Sequence, residues 1–207
     1  MDSTKHLDDL TQIRSIMERS TRFLSLSAWS AILAGIYALI GAVVGYRMIY
    51  HSPVVIYDTI EQGLFNKSTL PLFLVAGAVL VLAAITVLYM SHRKAKQAGQ
   101  SLWNRSAMRL LTNFSIPMAA GGVFIFILLN RGYVDLLASA TLLFYGFALL
   151  NASNFTFSDI RTLGILEIVL GLMAAAFPGK GLIFWTIGFG VLHILYGVIL
   201  YFKYERK

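Results

Sequence analysis

The sequence contains no cysteine. That excludes a disulfide framework, a thiolate-held zinc or iron–sulfur site and a cysteine nucleophile. Charge is scarce as well: only 13% of the 207 residues are Asp, Glu, Lys or Arg, about half of what a soluble domain carries. Acids are the rarer sign, ten against seventeen Lys and Arg, which leaves a net charge of +7. Histidine is limited to four residues, and neither HExxH nor a Walker lysine motif is present. The glycines of "GFGVLH" (188–193) lie inside an apolar run, without the strand and turn a dinucleotide site needs.

What the chain has instead is apolar residues, 57% of the total, with a mean hydropathy of +0.72. This is the composition of an integral membrane protein. A helix needs roughly 17 to 25 apolar residues to cross the hydrocarbon core. Six runs approach that length: Phe23 to Met48, Leu70 to Met90, Met108 to Leu129, Val134 to Asn151, Thr162 to Phe177 and Leu182 to Phe202. The expected fold is all-α and polytopic, with six transmembrane helices (23–207) forming three hairpins at about 23–90, 108–151 and 162–202. A cytoplasmic or interfacial amphipathic helix over 1–22 precedes them, because Leu7, Leu10 and Met17 recur at helical spacing among Asp8, Asp9, Gln12 and Glu18. The mixed charges of this segment and the lack of a small-residue cleavage site after the first run predict that no signal peptide is removed.

Lys and Arg set the orientation, since positively charged loops stay on the cytoplasmic side. With the N-terminus inside, only Arg47, Lys67, Arg131 and Lys180 of the seventeen fall outside. Both termini are therefore expected in the cytoplasm. The bases sit beside apolar spans and form no separate basic domain, which argues against nucleic acid as a partner. The lipid bilayer is the expected surrounding.

Small residues recur seven apart in all six spans. The pairs are Ala34 and Gly41, Gly77 and Ala84, Ser115 and Gly122, Ser139 and Gly146, Gly164 and Gly171, Gly190 and Gly197. Seven residues return to nearly the same helix face, so each pair makes a smooth stripe that a neighbouring backbone can approach. The stripes suggest a triplicated hairpin. They also suggest association with a second copy or another membrane protein, for which the amphipathic N-terminal helix is a further docking candidate.

The third hairpin carries Gly164, Gly171, Pro178, Gly179, Gly190 and Gly197, a glycine-bearing helix, a Pro-Gly turn and a second helix ending in glycine and basic residues. In this it resembles the HdeD-like (DUF308) membrane proteins. That resemblance implies a six-span protein of the bacterial inner membrane with a role in envelope or acid stress, and it carries over no catalytic residue. The chain departs from the pattern in its long first outer loop, in hairpins one and two, which lack the Pro-Gly turn, and in its N-terminal helix. The stretch "LDDLTQIRSIMERSTRFLSLSAWSAILAGIYALIGA" is also similar to the opening of a group of uncharacterised bacterial membrane proteins.

One carboxylate interrupts the apolar pattern: Glu167, in "GILEIVLG". A charge in mid-span costs a few kcal/mol, so it usually faces protein or water and finds a partner. With Lys180 as the centre of the "PGKG" turn, the residue opposite Glu167 is His193. They lie about 8 and 14 Å along their helices from the cytoplasmic end. Burial and mutual attraction act in opposite senses on such a pair, leaving its protonation poised. Helix rotation, which spacing does not fix, decides whether the two side chains meet; where they do, the pair is expected to be either a structural fastening of the third hairpin or a proton-linked site. Pro117 removes a helical hydrogen bond and is a candidate kink. Trp29, Trp185, Tyr46, Tyr50, Tyr201 and Tyr204 suit interfacial belts. One carboxylate with one imidazole is thin for an active site, so the expectation is a non-enzymatic protein without catalytic residues, metal or cofactor. The second expectation is a small proton-coupled transporter or channel using Glu167 and His193.

Overall fold

Apolar stretches in lipid must satisfy their backbone groups internally, and helices do so within one segment. The computed structural model describes residues 23–50, 70–97, 99 and 103–206. All regular structure among them is helical; the amphipathic segment 1–22 and most of the first long connection lie outside them. The helices are α1 (Ala28–Tyr50), α2 (Leu70–Gln97), α3 (Arg105–Asn130), α4 (Leu137–Ser153), α5 (Asp159–Ala176) and α6 (Gly181–Glu205). A single 3₁₀ turn, Val134–Leu136, leads into α4. Five of these helices are long and apolar enough to cross a membrane. The other, α5, has 18 residues and carries Asp159, Arg161 and Glu167.

Two boundaries differ most from the hydropathy reading, each for a local reason. Residues 23–27 are not helical, because Phe23 is tied across to the turn between α4 and α5. Its N–H donates to the Phe155 carbonyl at 2.7 Å, and its carbonyl accepts from the Thr156 hydroxyl at 2.7 Å. Conversely, α2 runs on past Met90 to Gln97. Lys94 in this extension donates to the Leu26 carbonyl at 2.8 Å and to Glu205 Oε1 at 2.6 Å. Glu205 also accepts from the Ala28 N–H at 3.0 Å, capping α1, so three helix ends are fastened at one point. The "NRGY" and "FPGK" turns need a left-handed residue, supplied by Gly132 (φ 77) and Gly179 (φ 78). Pro117 lies inside α3, which continues through it.

The helices of each expected hairpin touch, but the longest contacts are others: α5 lies along α4 and α6 along α1. α2 packs on α1 and α3 on α4. The two long contacts have the same design. A Cβ at Gly35 would stand 2.7 Å from the Gly190 carbonyl and 2.7 Å from Ile194; one at Gly146 would stand 2.7 Å from the Gly164 carbonyl and 2.7 Å from Ile168. A turn away, Gly197 meets Ile32 and the Ala28 carbonyl, while Gly171 meets Leu143 and accepts from Ser139 at 2.7 Å. Numbers in α1 map onto α4 by adding 111 (35 to 146, 32 to 143, 28 to 139), and those in α6 map onto α5 by subtracting 26 (190 to 164, 194 to 168, 197 to 171). By that rule His193 maps onto Glu167. Both pairs are antiparallel, since rising numbers on one helix meet falling numbers on the other.

The small-residue stripes divide accordingly. Ser139, Gly146, Gly164, Gly171, Gly190 and Gly197 are buried between helices. On α1 the buried face holds Ala28, Gly35, Ala38, Ala42 and Gly45, one position over from Ala34 and Gly41, although Gly41 still faces Val79 of α2. On the flanking helices Ala84 and Ser115 are exposed, and a Cβ at Gly77 or Gly122 would meet nothing within 4 Å. The neighbour of α3 is met by Gly121 instead, against Phe144. A helix with one long neighbour has only one face to bury, and these stripes lie off it. Replacing Gly77 or Gly122 by Ala should therefore raise stability slightly, by about 0.5–1 kcal/mol, as the helix backbone loses freedom in the unfolded state. Gly121→Ala should lower it. Thermal unfolding in detergent separates the two outcomes.

Candidate functional site

The site is built where α4, α5 and α6 meet. Glu167 sits on α5 between Gly164 and Gly171, and the close approach these glycines allow leaves its side chain fully buried, 0% exposed. From the other side α6 presents Gly188, where a Cβ would stand 2.5 Å from Glu167 Oε2 and 2.6 Å from Leu142. Glycine at 188 is thus what leaves room for the carboxylate. The segment Thr186–Leu192 is π-helical, a widening often found at functional sites. It sets His193 Nδ1 3.0 Å from the Gly188 carbonyl, five residues back.

His193 is 6% exposed. Its Nδ1 is 3.5 Å from Glu167 Oε1, and its Nε2 is 2.7 Å from the Tyr145 hydroxyl. With the proton on Nδ1, the ring donates to Gly188, faces Glu167, and accepts the Tyr145 O–H at Nε2. Neither oxygen of Glu167 has a hydrogen-bond partner among the described residues. Aromatic rings close the site towards the α5–α6 turn: Trp185 lies 5.1 Å from Phe189, and Phe189 packs against both Tyr145 (5.0 Å) and His193 (5.8 Å). Trp185 thus contributes to this wall, whereas Trp29 makes an edge contact with Tyr201.

Sequence reasoning named Glu167 and His193 and missed Tyr145 and Gly188. Tyr145 had a readable signal. It lies six residues, about 9 Å, from the Asn151 end of its span, too deep for an interfacial belt and at the depth given for Glu167. Gly188 had none, because its role depends on the π-helical turn. Among the described residues no three His, Cys, Asp or Glu side chains gather where they could hold a metal ion.

A second polar cluster marks the end of the bundle where α5 begins and α6 finishes. Asp159 accepts from Lys203 Nζ at 2.8 and 3.0 Å and from the Tyr204 hydroxyl at 2.8 Å. It precedes the apolar run that starts at Thr162. Partial burial alone would push its carboxyl up, but the Lys203 ammonium and Tyr204 hydroxyl outweigh it and hold the group below its ordinary value. A lowered carboxylate stabilises the fold above its unfolded value, about 4, and loses that contribution as pH falls through the folded value. Asp159→Asn should therefore lower the melting temperature at neutral pH and narrow its gap to wild type below about pH 4.

The described residues make an all-helical protein with several helices able to span a membrane and a polar cluster buried between three helices. Comparison with family models, with curated proteins and with solved structures finds no match to this chain.

Proposed function

We propose that this chain is a non-enzymatic six-span protein of the bacterial cytoplasmic membrane, both termini inside, whose Glu167–His193–Tyr145 cluster takes up and releases a proton. It would act as a small proton-coupled transporter or channel. The observation that carries this reading is the Glu167 carboxylate, fully buried with neither oxygen hydrogen-bonded among the described residues and an imidazole nitrogen 3.5 Å away. Buried acceptors that serve only as fastenings are normally satisfied. A carboxylate held beside a histidine with acceptor capacity to spare is suited to accept a proton. The sixth span is supported by the place of α5 between α4 and α6, with Asp159 and Arg161 in its first turn and Glu167 turned inward. The excess of Lys and Arg on one side supports the orientation. A proton-binding core also agrees with the acid-stress role that the HdeD-like resemblance implies.

The test uses protein in lipid vesicles with a pH-sensitive dye inside, under an imposed pH gradient. Wild type should carry protons, and Glu167→Gln and His193→Ala should each abolish the flux. Absence of flux in wild type overturns the transport reading.

A second reading, assembly with another copy or a membrane-protein partner, is favoured by the outward-facing stripes of Gly77 with Ala84 and Ser115 with Gly122. Small residues on a lipid-exposed face permit close helix approach. Gly77→Leu and Gly122→Leu should then shift the mass measured by light scattering in detergent towards the monomer. An unchanged mass removes this reading.

A further inference from the structure

Tyr196 is the buried polar group that the cluster described above leaves unused. Its hydroxyl is inaccessible and has no hydrogen-bond partner among the described residues. On α6 it stands one turn from His193, on the side towards the Asp159 end, and its ring packs, with that of Tyr145, against the apolar cluster of Leu149, Ile160, Leu163 and Leu200. Along α6 it lies between His193 and Tyr204, the members of two hydrogen-bonded groups: Tyr145 with His193 at 2.7 Å, and Tyr204 with Asp159 at 2.8 Å. Asp159 and Glu167 are eight residues apart on one helix, about 12 Å along its axis.

Among the described residues the opposite direction offers no such series. Towards the α5–α6 turn the hydroxyls are spent on backbone carbonyls: Ser139 on Gly171, Thr141 on Ala138 and Thr186 on Leu182. Leu142, fully buried, stands with Glu167 over Gly188, and the Trp185–Phe189 ring pair packs beside His193.

We propose that Tyr196 is the link through which Glu167 exchanges its proton with one face of the membrane only, the face that carries Asp159, Lys203 and Tyr204. The inference rests on the proton-binding reading of Glu167 and adds the route and its side. A proton arriving at the Asp159–Tyr204 cluster passes through a bridging water to the Tyr196 hydroxyl, which releases its own towards Tyr145 through a second one. Tyr145 takes that proton and gives its O–H proton to His193 Nε2. The imidazole then releases its Nδ1 proton to Glu167 Oε1. One proton enters, one reaches the carboxylate, and the imidazole is left in its other tautomer until the return transfer. The titratable and charged groups along the route are Glu167 and Asp159 from α5, Tyr145 from α4, and His193, Tyr196, Lys203 and Tyr204 from α6. Tyr145 and Tyr196 act here as positioning and relay groups.

The experiment follows the infrared carboxyl band of Glu167, assigned by its loss in Glu167→Gln, in protein inserted in one orientation into lipid vesicles. The pH is jumped on each face separately. In wild type the band should respond about tenfold or more faster to a jump on the Asp159 face. Tyr196→Phe and Tyr145→Phe should slow that response by a similar factor, in the range for loss of a proton-relay group, and leave the final protonation unchanged. Equal responses from both faces, a faster response from the other face, or an unaltered rate in Tyr196→Phe overturns the route while leaving the proton-binding reading intact. A band that responds to neither jump overturns both. The wild-type comparison of the two faces decides sidedness even where a tyrosine variant does not fold.

Discussion

His193→Ala should be among the most destabilising single changes in the protein, and Glu167→Gln introduced with it should restore most of the loss. The reason is an asymmetry of buried charge. With the proton of the neutral imidazole on Nδ1, His193 turns an N–H towards Glu167 from 3.5 Å and shields its carboxylate at a shared depth. Removing the imidazole leaves a carboxylate that is 0% exposed and without a hydrogen-bond partner among the described residues. Breaking a buried pair from one side costs about 3–5 kcal/mol. Glutamine has the same shape and no charge, so Glu167→Gln alone should be near neutral or mildly stabilising. The double variant should resemble Glu167→Gln, a strongly non-additive cycle. The loss in His193→Ala should also shrink as pH is lowered, because a protonated carboxylic acid leaves no buried charge to be shielded. Melting temperatures in one detergent at two pH values measure all of this. A His193→Ala variant as stable as wild type at neutral pH would show that the 3.5 Å contact contributes nothing to the fold.

Gly146→Leu and Gly35→Leu should each prevent recovery of folded protein, and by the same route. At either position an added Cβ would stand 2.7 Å from a backbone carbonyl of the facing helix, Gly164 in one case and Gly190 in the other. A carbonyl cannot swing aside as a side-chain tip can, so the helices themselves must part. Overpacking by small groups costs about 1–3 kcal/mol; here the whole of α4–α5 or α1–α6 would separate and lose its dispersion contacts, which are the main source of helix association in lipid. The Ala variants at these positions should fold with clearly lowered melting temperatures. Gly77→Leu, facing open space, is the control for the general effect of leucine in a membrane helix. Yield of monodisperse protein and melting temperature together distinguish the three.

The same contrast shows which parts of the molecule its residue pattern could announce. The helices could be read because hydropathy and the absence of mid-span polar residues constrain any chain in lipid alike. Glu167 stood out by its cost, and His193 followed from equal distance to a tight turn. The ends of α1 and α2 could not be read. They are fixed by Phe23 meeting Phe155 and by Lys94 meeting Glu205, contacts between residues more than a hundred positions apart. Nor could the seven-residue spacing of small residues tell a buried stripe from an outward one. Gly77 and Gly164 have the same local pattern, and only the number of neighbouring helices separates them. Gly188 and Tyr196 acquire their roles from rotation and widening of α6, which periodicity does not encode.

The matched packing of α1 on α6 and α4 on α5 relates two antiparallel pairs that run in opposite senses along the bundle. Such a scaffold is a palindrome: turned over, it presents nearly the same helix contacts. A core with identical side chains at its two equivalent places would have no preferred sense. This one places an acid at 167 and a base at 193, the positions that the 26-residue offset makes equivalent. The difference between carboxylate and imidazole is therefore what gives an otherwise reversible framework a direction at its centre.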